Sequence, residues 1–186
     1  MNKILIVVDA QEDFVRGALR NEEAIKALPV LQEVVKYADS EEMHIFYTMD
    51  THFSNYAETQ EGRRLPVEHC IRFSDGWQIC KEVASKKPLN VDIISKPTFG
   101  SMRWQFEDAF KTAKEVWICG FCTDICVSAN FQIVKACFPE VPITIIEDAC
   151  AGVTPELHKA ALDVMRSCQA DVKTWKELKE GKKDEA

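Results

Sequence analysis

Cys126 is the residue in this chain that type and spacing best fit for nucleophilic chemistry. It lies near the end of the run V-W-I-C-G-F-C-T-D-I-C-V, from Val116 to Val127. Val116 to Cys119 is an apolar segment of strand type, Gly120 breaks it, and Thr123-Asp124 is the kind of pair that caps a helix. The pattern predicts strand, tight turn and helix, with Cys126 in the first helical turn, where unpaired N–H groups and the helix dipole favour a thiolate. The plain alternative is a small buried residue at a helix–sheet contact, because free cysteines are commonly buried. What decides between them is the company the fold gives to Cys126.

Several other reactive side chains stand where strand-like segments end. Lys3 to Asp9 (K-I-L-I-V-V-D) is a continuous β-branched run of the kind covered on both faces, and it ends in a carboxylate. Residues 22 to 39 carry Ile25, Leu28, Leu31, Val34 and Val35 at helical spacing, with Pro29 expected to start or kink the helix, which could come in two pieces. Met43 to Met49 predicts a second strand leading into Asp50-Thr51-His52. Phe53 to about Lys87 reads as a long polar connection with a short possible helix near Trp77 to Val83, and connections of this length usually serve function. Strands are predicted at 91–95, 115–119, 143–147 and 171–174, and helices at 101–113 and 123–137, with another opening at Thr154-Pro155-Glu156. Residues 1–175 form a single domain and Lys176 to Ala186 a charged tail expected to fray.

Strand–helix alternation of this kind implies a doubly wound α/β domain, with a mostly parallel sheet and helices on both faces. Ligands in such sheets bind at the carboxyl ends of the strands. Asp9, Asp50, His52, Lys96 and Cys126 all fall at that rim. Asp50 and His52 are two apart, so an extended backbone points both side chains the same way, and His69 on the long connection offers a third metal ligand.

The composition bounds the function. With 186 residues, 46% hydrophobic and 28% charged, the chain suits one globular domain, and no apolar run approaches the ~20 residues of a membrane helix. A formal net charge of -7 leaves no basic stripe for nucleic acid, so a small molecule is the expected partner. No signal-peptide pattern opens the sequence, and the 8 cysteines sit mostly in apolar surroundings, which together lead us to expect a cytoplasmic protein with reduced thiols.

Five segments in this order, D-A-Q-E-D-F at 9–14, D-T-H at 50–52, L-P-V-E-H-C at 65–70, S-K-P-T-F-G-S at 95–101 and G-F-C-T-D-I-C-V at 120–127, resemble the isochorismatase-like cysteine hydrolases, and within them the nicotinamidases. The resemblance implies a six-stranded, Rossmann-like parallel sheet, a triad of Asp9, Lys96 and Cys126, and a cis peptide at Phe121-Cys122 that turns the Cys122 N–H toward the substrate. It also implies a divalent metal ion, zinc with iron or manganese as alternatives, held by Asp50, His52 and His69 with Glu61 as a possible fourth ligand. Phe14, Phe99 and Phe121 are then candidates for the substrate pocket, and a homo-oligomer is expected. The chain departs from the W-P-x-H pattern of many nicotinamidases at Leu65-Pro66-Val67-Glu68-His69, which bears on the pocket more than on the reaction.

The chemistry follows from the residue types. Asp9 would take the thiol proton, Lys96 would stabilise the negative charge beside it, and Cys126 would attack an amide carbonyl to form a thioester. The backbone N–H groups of Cys122 and Cys126 would meet the oxyanion. The expected activity is hydrolysis of a small amide, with nicotinamide to nicotinate and ammonia, a step of NAD salvage, as the leading case and another amide or carbamoyl compound as the alternative. A different class also fits the spacing, because Cys119, Cys122 and Cys126 give C-x-x-C-x-x-x-C, readable as a redox or metal-cluster module.

Overall fold

The computed structural model describes residues 2–181. Its elements run β1 (Lys3–Val8), α1 (Glu12–Val15), α2 (Glu22–Ser40), β2 (His44–Asp50), α3 (Gln60–Arg64), β3 (Val91–Lys96), β4 (Glu115–Phe121), α4 (Ser128–Cys137), β5 (Ile143–Ala151), α5 (Pro155–Ser167), β6 (Asp171–Lys173) and α6 (Trp175–Gly181). The strands form one six-stranded sheet in the order β3-β2-β1-β4-β5-β6, every neighbouring pair parallel. The order reverses between β1 and β4, the place where open α/β sheets hold their ligands.

Both faces of the sheet are covered, which is why β1 is apolar at nearly every position. Trp117 is in register with Leu5 and through it with Ile45, whereas Phe46 stands one residue further along β2. Successive strand residues point to opposite faces, so Trp117 and Phe46 lie on opposite sides of the sheet. On the Trp117 side, Tyr37 of α2 and Trp175 of α6 pack their rings against the indole. On the Phe46 side, Trp104 and Phe110 each approach the Phe46 ring at 5.6 Å, and Phe138 beyond α4 stacks on Phe110 at 4.9 Å.

Several segments differ from the expected pattern. Residues 101–113 do not form an α-helix but two 3-10 turns, Met102–Phe106 and Asp108–Thr112, joined by an extended Glu107. Trp104 and Phe110 are six residues apart and must both reach Phe46. Two short turns broken at the extended Glu107 allow both rings to reach it. Pro29 neither starts nor divides α2, which is continuous through it. The helix buries Ala24, Ala27, Leu28, Leu31, Val34, Val35 and Ala38 while Pro29 faces water, so a carbonyl left without its helical donor can be solvated. The possible helix near 77–83 is reduced to one 3-10 turn, Lys81–Val83. Residues expected to fray beyond 176 continue as α6, because Trp175 and Leu178 are buried, while the rest of the expected tail, 182–186, lies outside the described residues.

The segment after β4 is the one that matters most for the site. Gly120 has φ +117, and a Cβ there would come within 2.1 Å of the Val8 carbonyl oxygen, so only glycine fits where the β4–β5 register shifts. The Phe121–Cys122 peptide is cis, as the resemblance implied. Thr123–Val127 is a wide π turn rather than the first α-helical turn, and α4 begins only at Ser128. Thr123 and Asp124 do not cap it. Thr123 is fully buried with its hydroxyl 2.7 Å from His158 Nδ1, and Asp124 accepts from the Val153 N–H at 2.9 Å, so both tie the turn to α5 and the end of β5.

Candidate active site and metal centre

Asp9 directly follows β1; its backbone turns into the left-handed region at φ 46 and its N–H reaches Thr48 O on β2 at 3.2 Å. This turn lifts the carboxyl above the sheet edge, where it is 0% exposed and accepts from the Thr48 hydroxyl at 2.7 Å. Lys96 ends β3 and sends its ammonium inward across β2. Its Nζ lies 2.6 Å from Asp9 Oδ2, donates to Thr98 O at 3.1 Å and stands 3.6 Å from Cys126 Sγ. The three N–H bonds of the ammonium thus have three partners. Carboxylate, ammonium and thiol, far apart in sequence, are brought together here as the sequence predicts.

Burial dominates the electrostatics. It pushes the Asp9 carboxyl up, and the neighbouring Lys96 charge offsets only part of that. Burial alone would lower Lys96, but Asp9, Cys126 and Asp50 hold it well above the usual amine range, so it is charged. Burial also raises the Cys126 thiol, reinforced by the charge of Asp9 and opposed by Lys96. The expected helix-terminus placement is therefore corrected: Cys126 lies in a buried π turn, where burial and the Asp9 charge oppose the thiolate and the Lys96 ammonium favours it.

Beside this triad a second group converges. Asp50 Oδ2 is 3.1 Å from His52 Nε2 and 3.3 Å from His69 Nε2, and Glu61 Oε1 is 3.7 Å from each imidazole nitrogen. All four donor atoms lie within 4.8 Å of one another. In a tetrahedral zinc site with bonds near 2.0–2.1 Å, adjacent donors stand about 3.4 Å apart, so this set has the spacing such an ion needs. His69 Nδ1 donates to Val67 O at 2.8 Å, which leaves its Nε2 lone pair free to face a metal. Burial would raise Asp50, but the adjacent His52 and His69 imidazoles and the Lys96 charge hold it well below the carboxylate range. The residues present fit a divalent ion. Asp50 joins the two centres, since its other oxygen, Oδ1, is 3.7 Å from Lys96 Nζ.

A cleft of ≈ 530 Å³ opens over the metal donors, lined by His52, Glu61, Arg64, Thr98, Phe99 and Ile125 among others. Of the three predicted pocket aromatics, only Phe99 lines it. Phe121 is fully buried in the core, and Phe14 packs edge-on to His69 at 6.1 Å. The alternative of a three-cysteine ligand set also fails: Cys119 Sγ points to Ile6 O inside the sheet, and among the described residues Cys119, Cys122 and Cys126 do not come together as a donor cluster.

A family model, the isochorismatase domain, matches residues 3–177. The chain belongs to the isochorismatase family. Among curated proteins no sequence matches it. Solved structures that resemble this family member include nicotinamidase/pyrazinamidase PncA from Bacillus subtilis, at 23% identity and TM-score 0.81 over 93% of this chain and 100% of the other. The pyrazinamidase of Pyrococcus horikoshii in complex with zinc aligns at 26% identity and TM-score 0.78, covering 94% and 100%. N-carbamoylsarcosine amidase from Thermoplasma acidophilum aligns at 22% identity and TM-score 0.76, covering 94% and 96%. These agree with the six-stranded parallel fold. Among the described residues no helix is long and apolar enough to cross a membrane.

Sequence reasoning passed over several residues that hold the site in place. The Gln11 side chain accepts from Asp50 N at 2.8 Å and donates to Asp50 O at 3.0 Å, clamping the backbone of a metal donor. Asn130 of α4 accepts from Ser101 N and Trp104 Nε1 and donates to Phe99 O and Cys126 O, fastening the loop that carries Phe99 to the turn that carries the thiol. Gln11 alternates with Asp9 and Asp13 in D-A-Q-E-D-F, and that alternation was the only signal available.

Proposed function

We propose that this family member is a cysteine amidohydrolase of small amides, with nicotinamide the leading substrate and nicotinate and ammonia the products. The observation that carries the reading is the contact between two centres: a buried Asp9–Lys96–Cys126 cluster and, one carboxylate away, a four-donor set of Asp50, His52, Glu61 and His69 beneath an open cleft. Asp9 takes the Cys126 proton as sulfur attacks the carboxamide carbon, and Lys96 steadies the negative charge that develops. The Cys122 and Cys126 N–H groups receive the oxyanion. Asp9 then returns the proton to nitrogen as the C–N bond breaks and ammonia leaves. Water, deprotonated by Asp9, hydrolyses the thioester and frees the thiol. A divalent ion held by Asp50, His52 and His69, with Glu61 as a possible fourth ligand, would supply positive charge and, where Glu61 does not bind or the ion takes more than four ligands, an open position for a ring nitrogen; the donor set suits zinc with iron or manganese as alternatives. In this role Asp50, His52, Glu61 and His69 hold and orient, and the covalent chemistry belongs to Cys126.

A second reading has its own observation. Arg64 lines the cleft beside Glu61, and a guanidinium there suits an amide or carbamoyl compound that carries a carboxylate. Ammonia release from nicotinamide, benzamide and an N-carbamoyl amino acid, before and after chelation, separates the readings. Nicotinamide turnover that chelation or His52→Ala destroys, with benzamide much poorer, supports metal-directed recognition. Equal rates on nicotinamide and benzamide would refute it, and preference for the carbamoyl acid would move the substrate to the second reading.

A further inference from the structure

The segment D-A-Q-E-D-F holds a second buried carboxylate that the proposed chemistry does not use. Asp13 is 8% exposed and accepts two backbone N–H bonds from different parts of the chain: Cys70 N at 2.7 Å on Oδ2 and Ala18 N at 2.9 Å on Oδ1. Its own backbone is fixed as well, with Asp13 N donating to Gly76 O at 2.9 Å and Asp13 O accepting from Leu19 N at 3.0 Å. The space around the carboxylate is cut to fit. A Cβ on Gly76 would lie 2.2 Å from both oxygens and one on Gly17 2.1 Å from Oδ1, so the two glycines let the backbone close on the group.

What this carboxylate grips is the residue next to a metal donor. Cys70 follows His69 directly and has φ 47, a left-handed conformation that a residue with a side chain keeps only when its surroundings impose it. Cys70 O accepts from His52 N at 3.0 Å, and His52 O accepts from Arg72 N at 2.8 Å, so the strand-like bridge between the two histidine segments passes through Cys70. One carboxylate therefore sits behind both imidazoles.

Resting on the metal-centre reading above, we propose that Asp13 is a positioning residue of that centre: its carboxylate sets the Cys70 turn, and the turn places His69 and His52 Nε2 at the spacing that closes the donor set. An aspartate is needed, because two N–H donors from separate loops demand an acceptor-only group with two oxygens. Asparagine turns an NH2 against one donor, and glutamate has no room beside Gly17 and Gly76. Partners that orient metal ligands from behind typically contribute 10–100-fold to metal affinity.

The test measures Zn(II) affinity by competition with a chromophoric chelator, and the visible spectrum of the Co(II) form, for the wild type, Asp13→Asn and Gly76→Ala. His52→Ala gives the background from other thiols and imidazoles. Gly76→Ala keeps the carboxylate but displaces it, and so tests placement in case Asp13→Asn does not fold. The expected result is a 10–100-fold weaker Zn(II) affinity and a changed Co(II) spectrum in either variant. Iodoacetamide should label Cys126 at the wild-type rate in the metal-free proteins, which a general loosening of the fold would alter. Wild-type affinity and spectrum in a folded variant overturn the proposal while leaving the metal reading intact. A wild-type chain that binds Zn(II) no better than His52→Ala overturns both.

Discussion

Replacing Lys96 by methionine keeps the length and bulk of the side chain and removes one buried charge. The ammonium is 1% exposed and 3.6 Å from Cys126 Sγ. With an effective dielectric near 20, a unit charge at that distance stabilises a thiolate by about 4–5 kcal/mol, and at about 1.4 kcal/mol per factor of ten this is roughly a thousandfold in thiolate formation. The loss of Lys96 also leaves Asp9 and Asp50 without their shared counter-charge, and one of them will take up a proton rather than remain a buried anion. A protonated Asp9 cannot act as base, so both effects slow the reaction. Water entering near the methionine returns part of the energy, and we expect Cys126 alkylation to fall by about 10²–10³-fold, with amide turnover falling at least as far. The assay is the rate of iodoacetamide labelling of Cys126 in metal-free protein, read by peptide mapping, with circular dichroism to confirm the fold. Labelling of a folded Lys96→Met protein within a few-fold of wild type would refute the claim that this charge activates the thiol.

Cys126→Ala should abolish amide hydrolysis with the fold retained, while Cys119→Ala, whose thiol faces the sheet interior, should keep substantial activity; ammonia release from both variants checks this. Because burial raises Asp9, thiol reactivity should be lost as pH falls through a value above the ordinary carboxylate range, where Asp9 becomes protonated and ceases to be a base; a pH profile of Cys126 labelling with its acid limb at an ordinary carboxylate position would count against that assignment. Asn130→Ala orphans groups at Ser101, Trp104, Phe99 and Cys126, and at about 1–3 kcal/mol per buried group left unpaired the urea midpoint should drop by the equivalent of at least about 2 kcal/mol, with slower turnover. Trp104→Ala should cost about 3–5 kcal/mol in the same measurement, since the indole is fully buried against Phe46 and Phe110.

The strands were legible because a sheet covered on both faces demands continuous apolar runs, and these stand out in Lys3–Val8 and Glu115–Phe121. The rim residues followed from the strand ends. What the sequence hid was decided by tertiary demand. The 101–113 segment has helical composition, yet it folds as two 3-10 turns broken at Glu107, with Trp104 and Phe110 both packed on the Phe46 ring. Thr123 and Asp124 have the chemistry of helix caps, yet partners on α5 and beyond β5 claimed them. The start of the helix near Cys126 was misplaced because spacing shows neither the π turn nor the burial, and that burial opposes a thiolate. Gln11, Asp13 and Asn130 escaped because side chains that serve backbone amides carry no spacing signature of their own.

The placement of the two centres relative to the sheet gives them different mechanical fates. Asp50, His52, Glu61 and His69 all follow or end β2, on one side of β1, whereas Cys126 arrives from β4 on the other, so thiol and base are held together across the β1–β4 seam, with Lys96 and Asn130 bridging above it. A partial opening along that seam would part nucleophile from Asp9 while the donor set stays closed. Such local opening precedes global unfolding in many proteins. Under mild denaturant the chain should therefore pass through a state that keeps its ion and has lost its catalyst, and ion release should track the later transition.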